Sequence, residues 1–287
     1  MKIVTHDSRF HADDVFAVAT LLLLVGEAEV VRSRDPEAQV GADYMVDTGM
    51  QYDPSRKLFD HHQPEGAGVR DNGIPYASFG LVWKEYGEKV VGDKVAADII
   101  EKKLVQPIDA HDNGVAVAES KFKGIKEYTI GDFLYSLATS RETEALYAAF
   151  MQGVNIAKDL LIREIKLVQK AVADQDKVLS YYNKSTDKRL VIMEEDLAGW
   201  KELLTQQPGV LYVVYPRPDG KWSIAAIQDE HYISRKKLPE AWAGKTNEEL
   251  EKVTGVSGAL FCHRALFMGA AKTKEAAIQL AEIALNA

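Results

Sequence analysis

The sequence predicts an α/β fold: a mostly parallel sheet flanked by helices, followed by a second, smaller α/β domain. Three observations lead there. Short β-type runs alternate with helical patterning in the first part of the chain. Polar motifs follow directly on the ends of those runs, where open α/β sheets bind their ligands. The alternation then restarts after one long helical stretch.

Residues 2–5 (KIVT) are the first predicted strand. A polar stretch follows, then a helix over 13–25 whose apolar run 15–25 is too short to span a bilayer, which takes ~20 apolar residues, and reads as buried. Residues 28–32 are the second strand, 43–46 the third, ending at Asp47, and 57–59 the fourth, ending at Asp60. Helical patterning covers 77–87 and 92–103. A long helix is expected over 142–179, with Phe150, Val154, Ala157, Leu161, Ile165, Val168 and Val172 at alternating spacings of three and four. Such a stripe packs on its own domain by default; a homodimer seam or an interdomain spacer is the alternative. The polar stretch 183–188 (NKSTDK) is the linker candidate, giving domains 1–182 and 189–287. Beyond it, 190–193 and 210–215 read as strands, and the turn in PRPDGKW leads into another at 222–227. A further strand at 259–262 and a closing helix over 273–285, with Thr273 as N-cap, complete the pattern.

A chain of 287 residues, 46% hydrophobic and 27% charged, has ample material for one large or two ordinary cores. A net charge of −8 argues against coating nucleic acid by bulk electrostatics, yet leaves room for a nuclease, because bound ions add local positive charge. No secretory signal pattern and no membrane span is expected, and the single cysteine, Cys262, suits a reducing compartment, so the cytoplasm is the expected location.

The chemistry concentrates in four motifs: THDSRFHADD (5–14), VDTG (46–49), FDHHQ (59–63) and PIDAHDNG (107–114). Five of the seven histidines (His6, His11, His61, His62, His111) lie here, interleaved with Asp13, Asp47, Asp60, Asp109 and Asp112. Taken singly, each aspartate has a plainer role: Asp13 as a helix cap, Asp53 before a proline in a turn, Asp112 in an Asp-Asn-Gly turn. Together, carboxylates and imidazoles gathered at several strand ends are costly to bury unless paired or metal-bound. That ligand set suits Mn²⁺, Mg²⁺, Fe²⁺ or Zn²⁺. So many ligands suffice for two ions, a phosphoester-cleaving arrangement.

FDHHQ, preceded by VDTGMQYDPSRKL, resembles the DHH phosphoesterase superfamily. More narrowly, THDSRFHADD, SFGLVWKEYG, IDAHDNG, SRKLPEAWAG and the closing G-x4-H-x5-G-x2-KT resemble the melanocyte-proliferating-gene family, also labelled metal-dependent protein hydrolase; the pieces cover nearly the whole chain. The resemblance implies a metal centre for two divalent ions, Mn²⁺ first. His6, His11 and Asp13 stand in the first motif, a histidine replacing one carboxylate of the superfamily pattern. Asp47 would bridge the ions. His61 is the namesake ligand, with Asp60 and His62 as ligands or orienting groups. Asp109 is the fourth-motif ligand, with Asp112 as its competitor. Asp47 and His62, the latter as general acid, are the catalytic candidates.

The second domain is expected to hold substrate through Arg235, His263, Gly269 and Lys272, with Gly269 letting a phosphate approach the N-terminus of the closing helix. Trp222 and Tyr232 could stack on a base, although packing is the stronger reading for Trp222 and Trp200. The expected activity is that of a phosphodiesterase using a metal-activated water, an exonuclease on RNA or short single-stranded oligonucleotides. The alternatives are a pyrophosphatase or small-dinucleotide phosphodiesterase, and a metal-binding scaffold with little turnover; hydrolysis of protein ranks last.

Overall fold

The computed structural model describes residues 1–229 and 232–287. Two compact units result, Met1–Gln169 and Lys170–Ala287.

The first unit is built on five strands: β1 (Lys2–Thr5), β2 (Glu29–Arg32), β3 (Tyr44–Val46), β4 (Tyr52–Asp53) and β5 (Leu58–Phe59). Their order across the sheet is β2-β1-β3-β5-β4; the first four in that order run parallel, and β4 pairs with β5 antiparallel. The chain leaves β1 for β2 on one side and returns to β3 on the other, so the strand order reverses between β1 and β3. Crevices at such switch points are where open α/β sheets hold ligands. The register is continuous, with Thr5 beside Val46 and Val46 beside Phe59. The next residue on each strand is therefore His6, Asp47 and Asp60, side by side at one sheet edge.

Helix α1 (Ala12–Val25) packs against α3 (Ser78–Val91), and every residue from Ala12 to Leu22 is buried, as its largely apolar composition requires. The Phe16 and Phe79 rings meet 5.3 Å apart between them. A short α2 (Pro36–Gln39) precedes β3. After α3 come α4 (Lys94–Ile100), a π-helical turn over Glu101–Val105, α5 (Gln106–Asp112) and α6 (Ile130–Ser136). The π turn inserts itself in the helical stretch expected over 92–103, and π turns recur beside functional sites.

The long helix α7 (Thr143–Lys184) runs further than the predicted 142–179, and the division between the two units falls within it. Phe150, Val154, Ala157 and Leu161 of its stripe are buried in the first unit, the Phe150 ring lying 5.7 Å from that of Phe10.

The second unit carries β6 (Leu190–Ile192), α8 (Trp200–Thr205), β7 (Tyr212–Pro216), β8 (Trp222–Ala226), α9 (Asn247–Thr254), β9 (Ala259–Cys262), β10 (Met268–Ala271) and α10 (Lys274–Asn286). Its sheet runs β6-β7-β8-β10-β9, parallel only between β6 and β7. One face packs beneath α9 and α10 around Tyr212, Ile224 and Leu280; the other packs with Val178, Trp200 and Leu204. Trp200 is thus a core residue, its ring 5.1 Å from that of Tyr215. Strand β10 has no counterpart in the sequence reading.

Candidate metal centre

Four segments deliver the site. His6 follows β1, Asp47 follows β3, and Asp60, His61 and His62 follow β5. The first turn of α1 adds Asp13 and Asp14, its cap adds His11, and the last residue of α5 adds Asp112. Three overlapping sets of ligand atoms lie within 4.8 Å of one another: His6, His11 and Asp47; Asp47, His61 and His62; His11, Asp13 and Asp112.

Asp47 stands at the centre. Its Oδ2 is 3.3 Å from His6 Nε2, while its Oδ1 is 3.3 Å from His61 Nε2 and 3.4 Å from His62 Nδ1. Ser78 Oγ, at the start of α3, donates to Asp47 Oδ1 at 2.9 Å. The aspartate sits in the left-handed backbone region at φ 54°, held there by its N–H to Phe59 O at 3.0 Å. A non-glycine residue in that conformation stores strain, and such strain clusters at functional sites. Gly49, at φ 96°, completes the turn with a conformation that glycine supplies freely.

The imidazoles are oriented from behind. His6 Nδ1 lies 2.6 Å from Asp7 O, the arrangement in which Nδ1–H donates to the carbonyl and Nε2 faces the cluster. Asp60 is buried and holds no position in the three sets; its Oδ1 accepts from the N–H and ring Nδ1 of His62 at 3.1 and 2.9 Å, and its Oδ2 from Met50 N–H at 2.6 Å. Asp60 therefore positions the His62 ring, whose side chain is 50% exposed and lines an adjoining cavity of about 310 Å³.

Asp109 and Asp112 separate clearly. Asp112 Oδ2 lies 3.1 Å from His61 Nε2, inside the cluster. Asp109, the ligand favoured in the sequence reading, faces away: Arg70 Nη2 donates to its Oδ2 at 2.7 Å and Gly80 N–H to its Oδ1 at 2.9 Å. Arg70 also pairs with Glu101 of the π turn at 2.6 Å and lies over the Tyr76 ring at 3.9 Å. A Cβ on Gly80 would fall 1.8 Å from Asp109 Oδ2, so only glycine admits this strut between α3 and α5. Burial pushes the Asp109 carboxyl up to about 7, against the pull of Arg70.

The electrostatics of the cluster suit a cation. Burial disfavours charging His6, yet Asp14 and Asp47 outweigh it and hold its pKa up at about 10; Asp112 and Asp47 do the same for His61, also to about 10. For Asp47 and Asp112 burial works the other way, but the facing imidazoles keep both carboxyls below their ordinary range. Asp13 lies well above that range, through burial first and then the charges of Asp47, Asp112 and Asp14. Both oxygens of Asp13, Asp14 Oδ2, His6 Nε2 and His61 Nε2 are buried without a well-formed hydrogen bond. Buried polar atoms without partners are rare, and here they converge. This donor set of carboxylate oxygens and imidazole nitrogens fits divalent ions.

Two contributors escaped the sequence reading. Asp14 Oδ2 approaches His6 Nε2 at 3.0 Å, while its Oδ1 accepts from His11 N–H at 2.9 Å; the doubled Asp in HADD was its signal. Ser78 lies within the SFGLVWKEYG motif, although nothing in that motif announced a partner.

In the second unit two expectations are corrected. Gly269 lies inside β10 beside Cys262, not at a helix N-terminus, and a Cβ there would come 3.0 Å from Phe261 O. The Arg235 guanidinium is consumed by carbonyls closing α8: Gln207 O at 2.8 Å, Val210 O at 3.1 Å and Thr205 O. That is a helix C-terminal cap rather than a phosphate contact. His263 sits in the β9–β10 turn, its Nδ1 accepting from Ala265 N–H at 3.0 Å and its ring 4.4 Å from Phe267. Lys272 is exposed directly after β10.

The model of the uncharacterised protein family UPF0160 matches residues 2–285. The chain is 28% identical to the MYG1 exonuclease of Homo sapiens, over 99% of this chain and 85% of that one. It is 30% identical to a MYG1 protein of Chlamydia pneumoniae, over 96% and 93%. Among solved structures, RecJ in complex with Mn²⁺ from Thermus thermophilus aligns at 12% identity with a TM-score of 0.33, across all of this chain and 52% of that one. This last likeness is too slight to bear on function.

Replacing Asp112 and Asp109 by alanine should give opposite phenotypes. Asp112→Ala should weaken divalent-metal binding at least about 10–100-fold. Asp109→Ala, which leaves the buried Arg70 guanidinium with Glu101 as its one carboxylate, should cost about 3 kcal/mol of stability in urea titration. Interchanged phenotypes would place Asp109 in the metal centre.

Metal binding should also release protons. The raised His6 and His61 pKa values stabilise the metal-free chain fully below pH 6.5, an advantage lost as pH rises through about 10. A metal ion needs the neutral imidazoles, so its affinity should strengthen between pH 7 and 9, about tenfold per pH unit for each proton displaced. Calorimetry in buffers of different ionisation enthalpy reads the proton count directly; a pH-independent affinity would oppose the account.

Proposed function

The chain belongs to the UPF0160 family, and we propose that it is an exonuclease shortening RNA or other short single-stranded oligonucleotides with two divalent ions, Mn²⁺ first. It is a hydrolase of the metal-dependent phosphoesterase class. The observation that carries the finer reading is Asp47, buried at the switch point with one oxygen toward His6 and the other toward His61 and His62.

In this reading His6, His11, Asp13, Asp47, His61 and Asp112 would hold the ions, and Asp47 belongs to two of the three ligand sets. Divalent ions bound there supply an activated water and positive charge against the charge that develops on the phosphoryl group. His62 does the proton work: Asp60 fixes its Nδ1 and favours its charged form, with burial opposing, while the ring faces the open cavity. A protonated imidazole so placed can deliver its proton to the departing ribose oxygen. Ser78 holds Asp47 in register, and Asp14 fixes both His6 and the backbone of His11. The net charge of −8 favours short substrates, because long polyanions are repelled by the bulk of the molecule. We keep His263 and Lys272 as proposed ligand contacts within the second unit itself.

Hydrolysis of 5′-labelled RNA and DNA pentanucleotides, dinucleotides and pyrophosphate should be followed with Mn²⁺ and with Mg²⁺. Stepwise shortening of the pentanucleotides is expected, falling at least about 100-fold in Asp47→Ala. Turnover of pyrophosphate alone would move the activity to small molecules, and turnover indifferent to Asp47 would remove the site from the chemistry.

A further inference from the structure

The motif at residues 5–14 walls two cavities at once. Phe10, His11 and Asp13 face the cavity beside the metal cluster, which His62 and Asp112 also line. Asp7, Ser8 and Arg9, the residues just before them, face a second cavity of about 790 Å³. Tyr135 of α6 lines both, so the two spaces adjoin across its ring.

The second cavity is cationic in an acidic protein. Arg9, Arg32 and Arg141 line it, against one carboxylate, Asp7, which Arg34 already engages at 2.8 Å. Among the described residues none of these three arginines has a carboxylate partner. Arg9 lies over the Tyr135 ring at 4.9 Å. Arg32 is held by Ser8 O at 2.9 Å and stacks 4.6 Å over Phe150, yet its Nε is buried without an acceptor. Asp14 and Asp7 offset the charge of Arg32 while Arg34 opposes it, so the cavity's surplus positive charge lies on Arg9 and Arg141, and guanidinium is the side chain best shaped for phosphate. The volume lies in the range of small-ligand sites, about 300–1,000 Å³.

We propose that this cavity is a nucleotide subsite: it takes the phosphate of the nucleotide adjoining the scissile bond, held by Arg9, Arg32 and Arg141, with Tyr135 as the platform between the two positions. The inference rests on the nuclease reading for the identity of the ligand, a single-stranded polynucleotide. It gives that reading a cause for preferring a chain over a single phosphate, because a substrate without a second phosphate leaves the guanidiniums unpaired.

The test is binding of a 5′-fluorescein RNA pentanucleotide to the full chain by fluorescence anisotropy across a salt series, for wild type and Arg9→Ala/Arg141→Ala. Both arginines are exposed, so the double variant should melt where wild type does. Its Kd is expected to rise at least tenfold. The slope of log affinity against log salt should become shallower by about 0.7 for each arginine, the value for a single-strand phosphate contact. Arg9→Lys/Arg141→Lys should keep most of the slope and lose part of the affinity. An alanine variant with unchanged Kd and slope overturns the subsite. Hydrolysis is read in parallel: arginine-dependent binding without any turnover would keep the subsite and defeat the nuclease assignment, whereas turnover with arginine-independent binding would do the reverse.

Discussion

Five aspartates meet at one sheet edge, and their ion-pair partners are histidines. Asp13, Asp14, Asp47, Asp60 and Asp112 pair with imidazoles, and among the described residues none pairs with lysine or arginine. Burying that much like charge is expensive unless it is neutralised. Without metal, His6 and His61 carry the balance by holding protons far above their ordinary pKa. In the proposed reading, the same nitrogens would hold the metal. The rest of the unit serves this arrangement: a parallel register that sets His6, Asp47 and Asp60 abreast, a helix delivering two carboxylates from its first turn, and a strained turn that aims Asp47 both ways.

The contrast with Asp109 shows how selective the arrangement is. That carboxylate is as buried as its neighbours, yet it has a guanidinium of its own and a helix N–H. It stiffens the scaffold, tying α3, which carries Ser78, to α5, which carries Asp112. Losing it should be felt as stability, and losing Asp112 as metal affinity.

Much of the first unit was legible in the sequence because its information is local. Short β-type runs ending in His or Asp announce both a strand and what lies at its carboxyl end, and three such endings (His6, Asp47, Asp60) leave little choice about where they converge. What could not be read is tertiary. Asp109 and Asp112 sit three apart on one helix, close enough in direction that only Arg70, far off in sequence and outside every motif, decides between them. Arg235 looked free because the carbonyls that consume it lie some thirty residues upstream, in the closing turn of α8. Strand β10 was missed because Met268–Ala271 holds only methionine, glycine and alanine, with no β-branched residue to mark it; the misplacement of Gly269 followed directly. Two-faced use of the 5–14 motif, with chemistry toward one cavity and arginine toward the other, emerges only once the chain is folded.

The most direct measurement is anomalous diffraction at the manganese edge from crystals of this chain grown with Mn²⁺. The account predicts two peaks within coordination distance of the Asp47 carboxylate, one on the His6 side and one on the His61 side, with Asp112 bound and Asp109 still on Arg70. Manganese bound elsewhere, with the Asp47 cluster holding none at saturating concentration, would contradict it.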